Sequence, residues 1–321
     1  IVDGNISTGL GDDALNLQNA AAITGSYAAG GGNDRLSFAT YTTARDLMLT
    51  QVGTTDGFDG TESAVAGGFT DVDQFTGGSS LDEFTGLPST VGQWTIDTTS
   101  SYSAGGRTAT FSAFENLTGS DQDDLFSFGS FGTGAVSQVT IAGGAGNDRI
   151  VGNVNGVNYT IASANTGSVL VRNSSATPAS ATSSFTGIES LVGGSGNDSF
   201  RFLNTGSLSG NVDGGTGIDT LVGDDDGNSF TVVTQNTGTL TTKVAGGFSS
   251  IENLTGGLAA DTFNINADLT GSVTSLGGQD AVTLADGVSV DGLIDTGADI
   301  DTLTFGNNTV LVSGAASGTG D

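Results

Sequence analysis

The chain has 321 residues and contains no cysteine and no histidine. Without thiol or imidazole groups, disulfide staples, zinc sites with nitrogen and sulfur donors, thiol nucleophiles and histidine acid-base chemistry are all excluded. Cationic side chains number seven against 35 acidic ones, a net charge of −28. Such a field repels phosphate backbones and anionic bilayers, so nucleic acid is excluded as a partner. No apolar run approaches the roughly 20 residues that span a bilayer, and membrane insertion is not expected. The opening Ile1-Val2-Asp3-Gly4 is not a signal peptide; the chain reads as a mature form or an excerpt. Helical periodicity is also missing, because no window of about 15 residues keeps apolar positions at i, i+3, i+4 and i+7. Residues 41–52 are the exception: Ala44, Leu47, Met48 and Gln51 would share one face of a short helix, and an alternating strand fits nearly as well.

What is abundant is glycine, with 54 residues, and it recurs in one motif: a glycine-rich turn, Asp, any residue, then an apolar residue. Clear copies are Gly9-Leu10-Gly11-Asp12-Asp13-Ala14-Leu15, Gly30-Gly31-Gly32-Asn33-Asp34-Arg35-Leu36 and Gly144-Ala145-Gly146-Asn147-Asp148-Arg149-Ile150. Two more end in Asp198-Ser199-Phe200 and Asp219-Thr220-Leu221, and looser ones in Asp82, Asp124, Asp261, Asp280 and Asp301. Taken in order from Asp13 to Asp301, successive motif aspartates stand about 21 residues apart or roughly twice that. The shorter interval is the length of a coil of two or three short strands stacked on its neighbours.

A second signature keeps the same phase: Phe69-Thr70-Asp71-Val72-Asp73-Gln74-Phe75, then the equivalent runs starting at Phe111, Phe185 and Phe248, each followed seven positions after its last residue by a motif Asp. Residues 2–13 also align with residues 290–301, so one unit type runs end to end. Alternating runs such as Thr262-Phe263-Asn264-Ile265 put apolar side chains inward and polar ones outward. The expected fold is an all-β, right-handed parallel β-helix (β-solenoid) with about 21 residues per coil, a single continuous unit over 1–321. The irregular stretches 39–66, 88–110 and 153–184 read as coils with degenerate turns in preference to protruding loops. Some 15 coils at about 4.8 Å give a rod roughly 70 Å long. Gly318-Thr319-Gly320-Asp321 looks like the start of another turn, from which continuation of the chain or end-to-end stacking is expected.

The turn Gly143-Gly144-Ala145-Gly146-Asn147-Asp148-Arg149-Ile150 resembles the glycine-aspartate nonapeptide of RTX proteins, although here the copies are a whole coil apart and never in tandem nines. The resemblance implies calcium between turns. Physical chemistry permits the same: carboxylates one strand apart repel by about 1 kcal/mol in water and about 3.5 at an effective dielectric of 20. The candidate calcium ligands are Asp12, Asp13, Asp34, Asp123, Asp124, Asp148, Asp198, Asp219, Asp261, Asp280 and Asp301. The competing reading is that each Asp closes its turn by accepting backbone amides while glycine supplies positive φ.

The chain as a whole is similar to the β-repeat regions of bacterial giant adhesins and filamentous-haemagglutinin-like exoproteins. That resemblance implies a rigid, non-enzymatic segment of an extracellular or cell-surface filament. Its partners would be further copies through the terminal coils, cell-surface glycans or other surface proteins. A calcium-dependent glycan- or surface-binding β-helix is the alternative. Carbohydrate cleavage needs paired carboxylates in a particular cleft. Cations are few, and Arg35 and Arg149 occupy the same repeat position, as members of the motif and not of a unique cleft, so catalysis is not expected. Ice binding fails because no Thr-x-Thr column recurs with the coil period.

Overall fold

A computed structural model describes residues 1–174 and 180–307. The protein is all-β there, with two sheets of 16 strands each and no helix among the described residues. Residues 41–52 hold the strand Asp46–Val52, which settles the helix-or-strand choice: Leu47 and Leu49 alternate inward while Met48 points out. The turn suggested at 318–321 lies outside the described residues.

Along the regular stretches the chain visits the two sheets in turn. Ile6–Leu10 lies in the first sheet and Ala14–Asn16 in the second. Tyr27–Gly31 then returns beside the former with Ile6 opposite Tyr27, and Arg35–Ser37 beside the latter with Leu15 opposite Leu36. These pairings are parallel, and one circuit, as from Asp13 to Asp34, advances |i−j|=21 along the chain. Alternation then does what period-2 patterning requires, placing one side chain in two between the sheets. Inward columns follow directly: Leu47, Phe84, Leu117, Ile141 and Phe185 are successive partners in the first sheet. Trp94, Phe126, Ile150, Leu191, Val212 and Phe248 are successive partners in the second. The aromatic members stack along the column, Phe230 on Phe263 at 4.8 Å and 2° and Trp94 on Phe126 at 5.6 Å and 9°.

The irregular stretches are not degenerate coils. Each is a three-stranded antiparallel meander lying within one sheet: Asp46–Val52, Phe58–Glu62 and Val65–Val72 in the first sheet, and Gln93–Ile96, Ser101–Ala104 and Arg107–Ser112 in the second. Val157–Ser163, Thr166–Arg172 and Ser180–Thr186 form a third in the first sheet. Ser229–Thr234, Thr237–Leu240 and Phe248–Ser249 form a fourth, in a segment where the aspartate spacing predicts regular coils. The chain leaps ahead and fills in backwards. Tyr27 pairs with Phe69 on the last strand of the first meander, while Leu47 on its first strand pairs with the later Phe84. Among the described residues each sheet holds ten single strands and two meanders, so the chain makes 12 passes through it to build its 16 strands, against the some 15 coils expected of the full length.

The second signature acquires a meaning here. Its four leading phenylalanines, Phe69, Phe111, Phe185 and Phe248, sit on the last strands of the four meanders. The doubled aspartate gaps, such as those from Asp34 to Asp82 and from Asp148 to Asp198, are the places where a meander intervenes and the motif moves to the strand start of the opposite sheet. The single gaps, such as those from Asp124 to Asp148 and from Asp261 to Asp280, keep it in the same sheet.

Candidate functional site

Every motif aspartate stands immediately before a strand, and the stacking of strands stacks the aspartates. One carboxylate oxygen reaches to the preceding rung and accepts its main-chain amide. Asp34 accepts from Asp13 N (2.7 Å), Asp148 from Asp124 N (2.7 Å), Asp219 from Asp198 N (2.7 Å), Asp280 from Asp261 N (2.8 Å) and Asp301 from Asp280 N (3.0 Å). The result is a ladder in which each Asp is donor through its backbone and acceptor through its side chain.

Each meander ends one ladder and another begins on the opposite sheet. The closing residue is the acid of the second signature. Asp73 accepts from Asp34 N (3.1 Å), Glu115 from Asp82 N (3.0 Å), Glu189 from Asp148 N (2.7 Å) and Glu252 from Asp219 N (2.8 Å). These four acids were absent from the candidate set, yet the fifth position of the signature is acidic in all four copies, and that was the available signal. Asp82 likewise belongs to the ladder, accepting from Arg45 N at 2.7 Å. Of the sequence candidates, Asp13, Asp34, Asp124, Asp148, Asp198, Asp219, Asp261, Asp280 and Asp301 are ladder members. Asp12 and Asp123 are exposed and form an outer row, accepting from Asn33 N (2.9 Å) and Asn147 N (2.8 Å). Asp224, in the acidic run 224–226, is buried and paired with Lys243.

The second carboxylate oxygen divides the turns into two classes. In the closed class the amide four residues earlier turns in and donates to it: Gly78 to Asp82, Ser120 to Asp124 and Gly257 to Asp261. In the open class that residue has positive φ, as in Gly30 (102°), Gly144 (109°), Gly194 (118°), Gly215 (92°) and even Leu276 (76°), and its amide faces elsewhere. The second oxygens of Asp13, Asp34, Asp148, Asp198, Asp219 and Asp280 are then buried with no partner. In all three closed turns, and in the open turns of Asp148, Asp198 and Asp219, the residue five before Asp is glycine, for a steric reason. A methyl on Gly143, Gly193 or Gly214 would lie 2.4, 2.2 or 2.5 Å from a carboxylate oxygen of Asp148, Asp198 or Asp219.

Burial dominates the electrostatics at Asp34, Asp148, Asp198 and Asp219. It pushes the Asp148 and Asp219 carboxyls up to about 7, opposed by the amide each accepts and reinforced by neighbouring acids, Asp124 and Glu189 in one case and Asp198 and Glu252 in the other. Asp198 is raised to about 6 by burial, with the Val157 amide and Arg172 opposing. A buried unpaired oxygen at this acidity either holds a proton or draws in a cation. Among the described residues, one group of three carboxylates lies close enough to share an ion, Asp34, Asp56 and Asp73, with ligand atoms within 4.8 Å of one another.

No protein-family model and no curated protein matches this sequence. The two best-formed concavities, one around Phe128, Gly129 and Asn153 and one around Val52, Leu87 and Pro88, are lined by no titratable side chain. The carboxylates with shifted acidity lie along the turns and strand links, whereas Tyr27, Tyr102 and Tyr159, also shifted, sit inside strands. Among the described residues no helix is long and apolar enough to cross a membrane.

Proposed function

We propose that the chain is a β-solenoid, a right-handed two-sheet coil, serving as a rigid non-enzymatic scaffold within a secreted or cell-surface adhesin or extracellular filament. The observation carrying this reading is the carboxylate ladder. An acid that works as a catalyst is wanted once, in a cleft, whereas here the same acid is spent rung after rung on holding main-chain amides. The signature acids extend that use to every meander. Buried columns of Phe, Leu and Ile running through both sheets give the rod one continuous core, and the acidic exterior keeps it solvated. Stacking through the terminal rungs, onto more chain or another copy, and contact with surface glycans or proteins belong to the same proposal.

Sixteen rungs at about 4.8 Å make a rod on the order of 70 Å long. Small-angle scattering should give an elongated particle of at least that length with a constant cross-section; a compact profile overturns the rod. Antibodies against the chain should label intact cells of the source organism. Labelling only after lysis removes the surface assignment and leaves the scaffold.

A further inference from the structure

The three carboxylates at the first meander come from separate segments. Asp34 is the turn acid before Arg35–Ser37, Asp56 lies in the hairpin loop between Asp46–Val52 and Phe58–Glu62, and Asp73 links Val65–Val72 to Gln74–Thr76. Each is fixed by one main-chain amide. Asp34 Oδ1 accepts from Asp13 (2.7 Å), Asp56 Oδ2 from Gly32 (2.9 Å) and Asp73 Oδ2 from Asp34 (3.1 Å). The positions are thus set by the backbone before any ligand arrives.

Those bonds leave Asp34 Oδ2 and Asp56 Oδ1, two buried oxygens without a partner. Asp34 is fully buried, at 0% exposure. Among the described residues no salt bridge reaches any of the three acids. The two salt bridges among the described residues are Arg45–Glu62 and Lys243–Asp224, and Arg107, the cation that acts on Asp73, gives its guanidinium to the Thr55 carbonyl at 2.9 Å. Burial raises the pKa of Asp34 and of Asp73, and the charge of Asp56 raises both further. The ligand oxygens lie within 4.8 Å of one another, close to the spread that three oxygens take around one ion at calcium–oxygen distances of about 2.3–2.6 Å.

We infer that Asp34, Asp56 and Asp73 form a divalent-cation site of calcium type where the first meander folds back onto the regular rungs. No other group of three acids among the described residues comes as close, so the site belongs to this one seam and is not a property of the repeat. Bound calcium would join the hairpin loop, the turn below it and the exit from the meander. The site does not depend on the scaffold reading, since it needs only these three segments.

The test uses the whole chain stripped with chelator, titrated with calcium chloride by calorimetry, beside Asp56→Asn, Asp73→Asn and, as a control on an exposed acid, Asp225→Asn. Asp56→Asn keeps an acceptor for the Gly32 amide, and far-UV circular dichroism confirms the fold of each variant. Bound calcium should fall by one ion per chain, or that step weaken at least tenfold, in Asp56→Asn and Asp73→Asn, with Asp225→Asn unchanged. No calcium binding by the parent chain, or the same stoichiometry and affinity in Asp56→Asn, overturns the site. Either result leaves the scattering test of the rod untouched.

Discussion

Closed and open turns do the same work on the rung below and differ in the turn itself. Asp124, closed, accepts from Gly92 N with one oxygen and from Ser120 N with the other. Asp219, open, accepts from Asp198 N and has a second oxygen with nothing to accept. Two residues before Asp the classes differ: Ser80, Gln122 and Ala259 in the closed turns, and Gly11, Gly32, Gly146, Gly196, Gly217 and Gly278 in the six open turns with an unpartnered oxygen, while Asp299, also at positive φ (83°), holds that place before Asp301. A glycine there lets the loop swing wide, because Gly32, Gly146 and Gly217 take φ values of 146°, 123° and 142°. The wide loop leaves the carboxylate underused, so these turns carry a buried, poorly satisfied charge that the closed ones reduce with an added amide.

Shared features should give the largest effects. Gly119→Ala in a closed turn puts a methyl 2.1 Å from the Gly143 carbonyl oxygen and 2.5 Å from Asp124 Oδ2; Gly214→Ala in an open one puts it 1.9 Å from the Ser250 carbonyl oxygen and 2.5 Å from Asp219 Oδ2. Each should cost more than about 3 kcal/mol in urea unfolding, since backbone and carboxylate must both move. A large cost in one class alone would show that the classes do not share this contact.

Acidity gives the next effect: burial raises the carboxyls of the closed Asp124 and Asp261 too, and among the open turns it lifts Asp148, Asp198 and Asp219 to about 6 to 7. Folded, Asp148 and Asp219 hold a proton up to about pH 7 and Asp198 up to about pH 6, whereas unfolded each loses it near 3.8. Between those values the folded chain binds more protons, so stability is greatest near pH 4 and falls as pH rises through 6 to 7. The thermal midpoint should therefore be higher at pH 5 than at pH 8, by an amount equivalent to a few kcal/mol. Asp148→Asn combined with Asp198→Asn and Asp219→Asn should flatten the slope; an unchanged slope would trace it to the net charge alone.

Single amides give a smaller, signed version of the same test. Asp219→Asn keeps an acceptor for Asp198 N and removes a buried charge, so at pH 8 it should be neutral or stabilising by about 1 kcal/mol. Asp124→Asn forces an amide nitrogen against Gly92 N or Ser120 N and should cost about 1–3 kcal/mol. The chain already uses an amide in such a slot: Asn228 accepts from Asp224 N and donates to Asp261 Oδ1. Equal signs in the two variants would remove the distinction.

Much of this was legible in the sequence, and the part that was not has a definite cause. The regular spacing of the motif, the alternation in runs such as Asp280-Ala281-Val282-Thr283-Leu284 and the inward Phe columns needed only local periodicity, which two stacked sheets preserve. The meanders were missed because an antiparallel strand alternates with the same period of two as a parallel one. Val169-Leu170-Val171 reads alike in either, and only the pairing of Val169 with Ser183 and Tyr159 reveals its direction. The doubled gap from Asp82 to Asp124 therefore looked like two coils. Asp34 was found through its motif, but Asp56 was not, because a lone Asp in Thr55-Asp56-Gly57 is an ordinary turn residue until the fold carries it beside Gly32.

The smallest effect tests what decides the class of a turn. Gln122→Gly introduces the open-class residue into the closed turn of Asp124 at an exposed position. Opening also requires Ser120 to adopt positive φ, as Leu276 does at 76° without being glycine, and it would give up the bond from Ser120 N to Asp124 Oδ2. Losing that bond costs about 1 kcal/mol or more, whereas the added freedom of glycine in the unfolded chain changes stability by only about 0.5 kcal/mol. The turn should stay closed, with the Ser120 amide still protected in hydrogen exchange and stability lowered by about 0.5 kcal/mol or less. A Ser120 amide that exchanges freely in this variant would mean that the residue two before Asp sets the class alone, and that the hydrogen bond follows from the closed shape instead of holding it.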